Sequence, residues 1–113
     1  MPTNHDPQSA ACRAADASLT RAFGFLGKRW NAVILGALSN GPGGFRDISR
    51  ALDGISDSVL SDRLGDLTRA GLLERTVDAG PPVSVSYALT DRAQALMPAL
   101  DQIALWAQEH LPD

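Results

Sequence analysis

The chain has 113 residues and a formal charge of -3, enough for one domain with little room for a second. Its 44% hydrophobic content excludes disorder as the default, and the lack of any run of about 18 apolar residues excludes a membrane span. A single cysteine and two histidines exclude an intramolecular disulfide and supply too few ligands for structural zinc, so no metal or cofactor is expected and the chain reads as a reduced, cytoplasmic protein.

Residues 1–15 mix Pro, Asn, Ser and Ala without periodicity, so they read as a flexible tail before one domain spanning 16–113. The N-terminus has no basic region followed by an apolar block, and a secretory signal is not expected. Leu19, Ala22, Phe23 and Leu26 follow helical spacing, with Gly27 as a stop. Lys28 and Arg29 start the next helix, in which Trp30, Val33, Ile34 and Leu38 share a face; Asn40-Gly41-Pro42-Gly43-Gly44 ends it. Phe45, Ile48 and Leu52 space a short helix that Asp53-Gly54 breaks.

Ser56 stands where an N-cap belongs, and Asp57 suits the positive helix end. Leu60, Leu64 and Leu67 form the inward stripe of the helix that follows, and Gly71 is its expected left-handed terminator. The period then changes to two. Leu73, Arg75 and Val77 alternate with Leu72, Glu74 and Thr76, and after Ala79-Gly80-Pro81-Pro82 the residues Val83, Val85, Tyr87 and Leu89 alternate with Ser84, Ser86 and Ala88, which predicts a hairpin. Thr90 caps a last helix with an apolar stripe running from Ala93 to Leu111, in which Pro98 is expected to introduce a kink. The fold expected is mainly α with a small β-hairpin (α+β).

Charge is unevenly placed. Residues 1–27 sum to 0, residues 28–75 to +1 and residues 76–113 to -4, so the central third can present a basic face. The same third holds a short helix, a tight turn, a Ser-capped helix and then a hairpin. That order is the arrangement of a helix-turn-helix with a wing, whose second helix enters the major groove of DNA. With the leucines inward, Asp57, Ser58, Ser61 and Asp62 face out near the start of this helix. Ser58, Ser61 and Asp62 are candidates for groove contact, Asp62 alternatively holding Arg63 or Arg69 in place. Ser56 is a cap first and a phosphate ligand second.

Arg63 and Arg69 are candidates for phosphate contact from the flanks, Arg63 alternatively bonding Asp66 or the wing. Arg46 and Arg50 are expected at phosphates, or else on a solvated face paired with Asp47 or Asp53; Lys28 and Arg29 are further phosphate candidates. No nucleophile–base pair or phosphate-binding loop is present, so no enzyme is expected; Gly41-Pro42-Gly43-Gly44 lacks the lysine and preceding strand of a P-loop.

Over residues 17–108 the sequence resembles the HxlR family of winged helix-turn-helix transcriptional regulators. The matching stretches are Leu26-Gly27-Lys28-Arg29-Trp30, Gly44-Phe45-Arg46-Asp47-Ile48, Ile55-Ser56, Arg63-Leu64, Gly71-Leu72-Leu73-Glu74-Arg75 and Tyr87-Ala88-Leu89-Thr90, with Leu96, Pro98 and Trp106. The order and spacing of these pieces, rather than any one of them, are specific.

The resemblance implies a homodimer that reads double-stranded DNA, with the N-terminal segment and last helix forming the interface. Leu19, Phe23, Phe25, Leu96, Leu100, Ile103 and Trp106 are its candidate residues. Phe23, Phe25 and Trp106 are also candidates for lining an effector pocket between subunits, against the plainer reading of core or interface. Two departures matter. Some members use a cysteine before the first helix as a redox sensor, but that position holds Ala17 here, and Cys12 lies five residues earlier, as either a plain thiol or a displaced sensor. The wing carries Ser84 where an arginine is usual, leaving phosphate contact to Arg75 and the serines. A repressor of nearby genes responding to a small-molecule or redox signal is the function this implies; a dimeric winged-helix module with weak DNA affinity is the alternative.

Overall fold

A computed structural model describes residues 10–113. Five helices and one hairpin follow each other as α1 (Ala10–Leu26), α2 (Asn31–Ala37), α3 (Phe45–Ala51), α4 (Asp57–Arg69), β1 (Leu73–Asp78), β2 (Ser84–Leu89) and α5 (Asp91–His110). The expected element order and α+β class are therefore observed. The stretch expected as a tail is helical from Ala10 onward. Alanine has the highest helix propensity, and four of residues 10–15 are alanine, so propensity forms a helix where no apolar period exists. Residues 1–9, including His5, lie outside the described residues.

The core forms where α2, α3 and α4 meet the base of the hairpin and the start of α5. Ile34, Leu35 and Leu38 pack with Ile48, Leu52, Leu60, Leu64, Leu67, Leu72, Leu73 and Ala93. The helix ends follow local chemistry. Ser56 Oγ accepts from Val59 N at 3.1 Å, and Thr90 Oγ1 accepts from Ala93 N at 3.2 Å while donating to Gly71 O at 2.7 Å. Gly71 ends α4 at φ +79°, and Leu72 N donates to Leu67 O while Gly71 N donates to Thr68 O, both at 3.0 Å. These two bonds form the Schellman arrangement that satisfies the last carbonyls of a helix.

The hairpin pairs antiparallel, with Leu73 opposite Leu89 and Asp78 opposite Ser84. Gly43 bridges to Tyr87 through two backbone bonds of 3.0 and 2.8 Å, which ties the segment before α3 to the wing. Only Leu73 of β1 is buried, while Tyr87 and Leu89 of β2 pack half-buried against the core and Val77 and Val83 towards the tip are exposed.

Two expectations about α2 and the turn before it are corrected. Lys28 and Arg29 lie in the turn between α1 and α2, not on a helix, and Trp30 is the N-cap of α2 at φ +84°. Val33 is exposed because Leu35, one side of the helix away, takes the core position. Phe25, Leu96 and Leu100, expected at a subunit interface, are half-buried and pack in part against the core of their own chain. α5 runs as one helix from Asp91 to His110 with Pro98 inside it.

Candidate DNA-binding surface

The surface is built around α4. Leu60, Leu64 and Leu67 are 0%, 1% and 0% exposed, so the opposite strip is turned to solvent by the helical period. On it, Ser58, Ser61 and Asp62 are exposed, as are the capping residue Ser56 and Asp57. Asp62 has no hydrogen bond or ion pair among the described residues, so the alternative in which it holds Arg63 or Arg69 is not observed.

Asp66 performs that role. Its Oδ1 accepts from Arg69 Nη2 at 2.6 Å, and its Oδ2 lies 3.2 Å from Arg63 Nη2 and 3.7 Å from Lys28 Nζ. Burial alone would raise the Asp66 pKa, but the hydrogen bond from Arg69 and the charges of Lys28, Arg63 and Arg69 outweigh it and hold the carboxyl below its ordinary value. Arg63 is only 23% exposed, while Arg69 is 73% exposed. Of the two readings of Arg63, the geometry is that of the bond to Asp66. Its Nε and Asp66 Oδ2 are both buried without a hydrogen-bond partner.

The sequence offers Asp66 only as one alternative partner of Arg63. The i, i+3 spacing of Arg63, Asp66 and Arg69 was legible; the approach of Lys28 from another element was not.

The flanks are also paired. Arg46 Nη1 lies 3.3 Å from Asp57 Oδ2, clipping the start of α3 to the start of α4. Arg50 pairs with Asp47 at 3.6 Å, as one of its sequence readings expected. Asp47 Oδ2 additionally accepts from Gly44 N at 3.0 Å, closing the first turn of α3. These pairs are exposed, and such pairs contribute only about 0–1 kcal/mol, so each opens readily to a competing anion. Arg29 stacks on the Trp30 ring at 4.8 Å. Arg75 and Ser84 are exposed on the wing, and Arg75 has no ion pair among the described residues.

Away from this surface, Leu19 and Phe23 on α1 and Ile103 and Trp106 on α5 are exposed, Trp106 by 54%. Cys12 is half-buried on α1. An apolar groove of about 370 Å³ lies between α2 and α5, lined by Ala32, Val33, Gly36, Met97, Leu100 and Ile103 among others. Of the seven residues expected at an interface or effector pocket, Leu100 and Ile103 line this groove; Phe23, Phe25 and Trp106 do not. No group of His, Cys, Asp and Glu suited to a metal exists among the described residues.

A short helix, a tight turn and a capped helix with its polar strip free, followed by an exposed hairpin, define a winged helix-turn-helix. The model of the HxlR-like helix-turn-helix family matches residues 25–113, and the chain belongs to that family. The chain is similar to the uncharacterized HTH-type transcriptional regulator YvaP of Bacillus subtilis (strain 168), at 43% identity over 79% of this chain and 82% of that protein. It is also similar to the HTH-type transcriptional regulator YodB of the same organism, at 38% identity over 78% of this chain and 79% of that one. The solved reduced form of YodB superposes with a TM-score of 0.73 at 32% identity, covering 92% of this chain and 95% of that one. Diamide-treated YodB superposes with a TM-score of 0.71 at 34% identity, covering 85% and 95%.

Proposed function

We propose that this protein is a sequence-specific DNA-binding transcriptional regulator that acts as a homodimer. The observation that carries the reading is the two-sidedness of α4: three buried leucines on one side, and a solvent-facing polar strip on the other, capped at Ser56. Small polar side chains allow close approach to base edges, while Arg46, Arg50 and Lys28 exchange their carboxylate partners for phosphates and Arg29 adds a further positive charge. Arg75 and Ser84 extend contact along the wing.

Dimerisation is supported by Leu19, Phe23, Ile103 and Trp106, which leave large apolar side chains in water on α1 and α5. No helix among the described residues is long and apolar enough to cross a membrane; the reading places the protein in the cytoplasm and assigns it no catalytic reaction. A redox or small-molecule input belongs to the same reading: Cys12 lies on α1, and YodB has been solved both reduced and after diamide treatment. Diamide then weakens DNA binding of the native chain but not of Cys12→Ser.

The testing experiment is a gel shift with the region upstream of the protein's own gene over a salt series. A specific complex is expected, with log affinity falling linearly with log salt and Arg46→Ala lowering the slope by about one per subunit. The second reading, an interaction module with weak DNA affinity, is favoured by the carboxylate partners of Lys28, Arg46, Arg50, Arg63 and Arg69. It predicts no specific salt-dependent complex.

A further inference from the structure

The exposed strip of α4 carries Ser58, Asp62, Gly65 and Arg69 at positions i, i+4, i+7 and i+11. Arg69 belongs to the last turn, yet its guanidinium does not lie beyond the helix end. It folds back over Gly65: a Cβ added to Gly65 would sit 3.2 Å from Nη1 and 3.6 Å from Nη2. The bond of 2.6 Å from Nη2 to Asp66 Oδ1 holds it there, and Asp66 is in turn flanked by Lys28 and Arg63. The remaining donors of the guanidinium have no partner among the described residues.

An exposed arginine ordinarily gives up rotamer freedom for little return. Here a short charge-assisted bond spends one donor and orients the rest on the outward strip. A phosphate accepts the same fork, but phosphates line the walls of the groove, whereas the strip on which the Arg69 guanidinium lies faces the groove floor where the base edges are. A base contact needs the fork set in place, and a guanidinium offers donors only. Guanine is the base that presents two adjacent acceptors, O6 and N7, in the major groove, whereas adenine places a donor beside its acceptor.

We propose that Arg69 reads a guanine in each half-site, with Asp66 as the positioning residue and Gly65 as the clearance that lets the guanidinium lie flat on the strip. The assignment rests on α4 being the groove helix. It moves Arg69 from the phosphate flank, where the sequence reading put it, to the base edge.

The test is selection of bound sequences from randomised DNA by the full chain, followed by affinity measurements over a salt series for Arg69→Lys, Arg69→Ala and Asp66→Asn. The wild type is expected to require G·C at one position per half-site, by about five- to 150-fold, the span of a forked arginine–guanine contact. Arg69→Lys keeps the charge and the salt slope but loses that preference. Asp66→Asn weakens the preference at the same position and at no other, a change that a merely structural carboxylate would not produce. If Arg69→Ala instead weakens all sequences alike and lowers the salt slope by about one per subunit, Arg69 is a phosphate ligand and the assignment falls alone. If the wild type selects no sequence, the proposed function falls with it.

Discussion

Gly71 joins α4 to the wing, and replacing it by alanine tests whether that joint has the strain the structure implies. Its φ of +79° lies in the left-handed region, where an L side chain costs about 1–2 kcal/mol. The new Cβ would also sit 3.0 Å from Arg92 Nη1, the far end of a flexible side chain. Arg92 can swing away, but it then gives up its 3.3 Å bond to Ala70 O, an exposed contact worth about 0.5 kcal/mol. The sum is about 1.5–2.5 kcal/mol, partly offset by the lower chain entropy of unfolded alanine.

Gly54 is the internal control: it has φ +90° and no atom within 4 Å of an added Cβ, so Gly54→Ala isolates the backbone cost. By thermal and urea unfolding, Gly71→Ala is expected to lower Tm by roughly 4–10 °C, and somewhat more than Gly54→Ala. The difference between the two should vanish in an Arg92→Ala background. A loss for Gly71→Ala of under about 0.5 kcal/mol, the scale of an ordinary surface substitution, would refute the reasoning.

Three further outcomes are expected. Asp66 has a carboxyl held below its ordinary value of 3.8, so it stabilises the folded state at neutral pH and that contribution is lost as acid carries the pH down through the lowered value. The stability gap between wild type and Asp66→Asn should thus be flat from roughly pH 5 to 8 and close below about 4; a gap unchanged to about pH 2 contradicts this. Trp106→Ala should raise the dimer dissociation constant at least about 30-fold in sedimentation velocity without loss of helical circular dichroism, and an unchanged sedimentation coefficient at all concentrations argues against an α5 interface. Leu64→Ala leaves a cavity beneath α4 and should cost about 2–5 kcal/mol in urea unfolding, whereas a cost under about 1 kcal/mol would mean the leucine stripe is not the core of this domain.

What the sequence by itself determined is everything encoded within a few residues. The stripe of Leu60, Leu64 and Leu67, the Ser56 and Thr90 caps, the Gly71 terminator and the period-two run of the hairpin each depend on spacing along one element, which the backbone geometry converts directly into a face or an end. The tertiary structure decided which side chains from different elements meet. Lys28 reaches Asp66 only once the turn between α1 and α2 is brought against α4, Arg46 reaches Asp57 only across the turn between α3 and α4, and Gly43 pairs with Tyr87 only once the wing has folded back. Packing likewise chose Leu35 over Val33 for the core and drew Phe25, Leu96 and Leu100 inward, because two faces of similar hydrophobicity are told apart only by the partner that covers them.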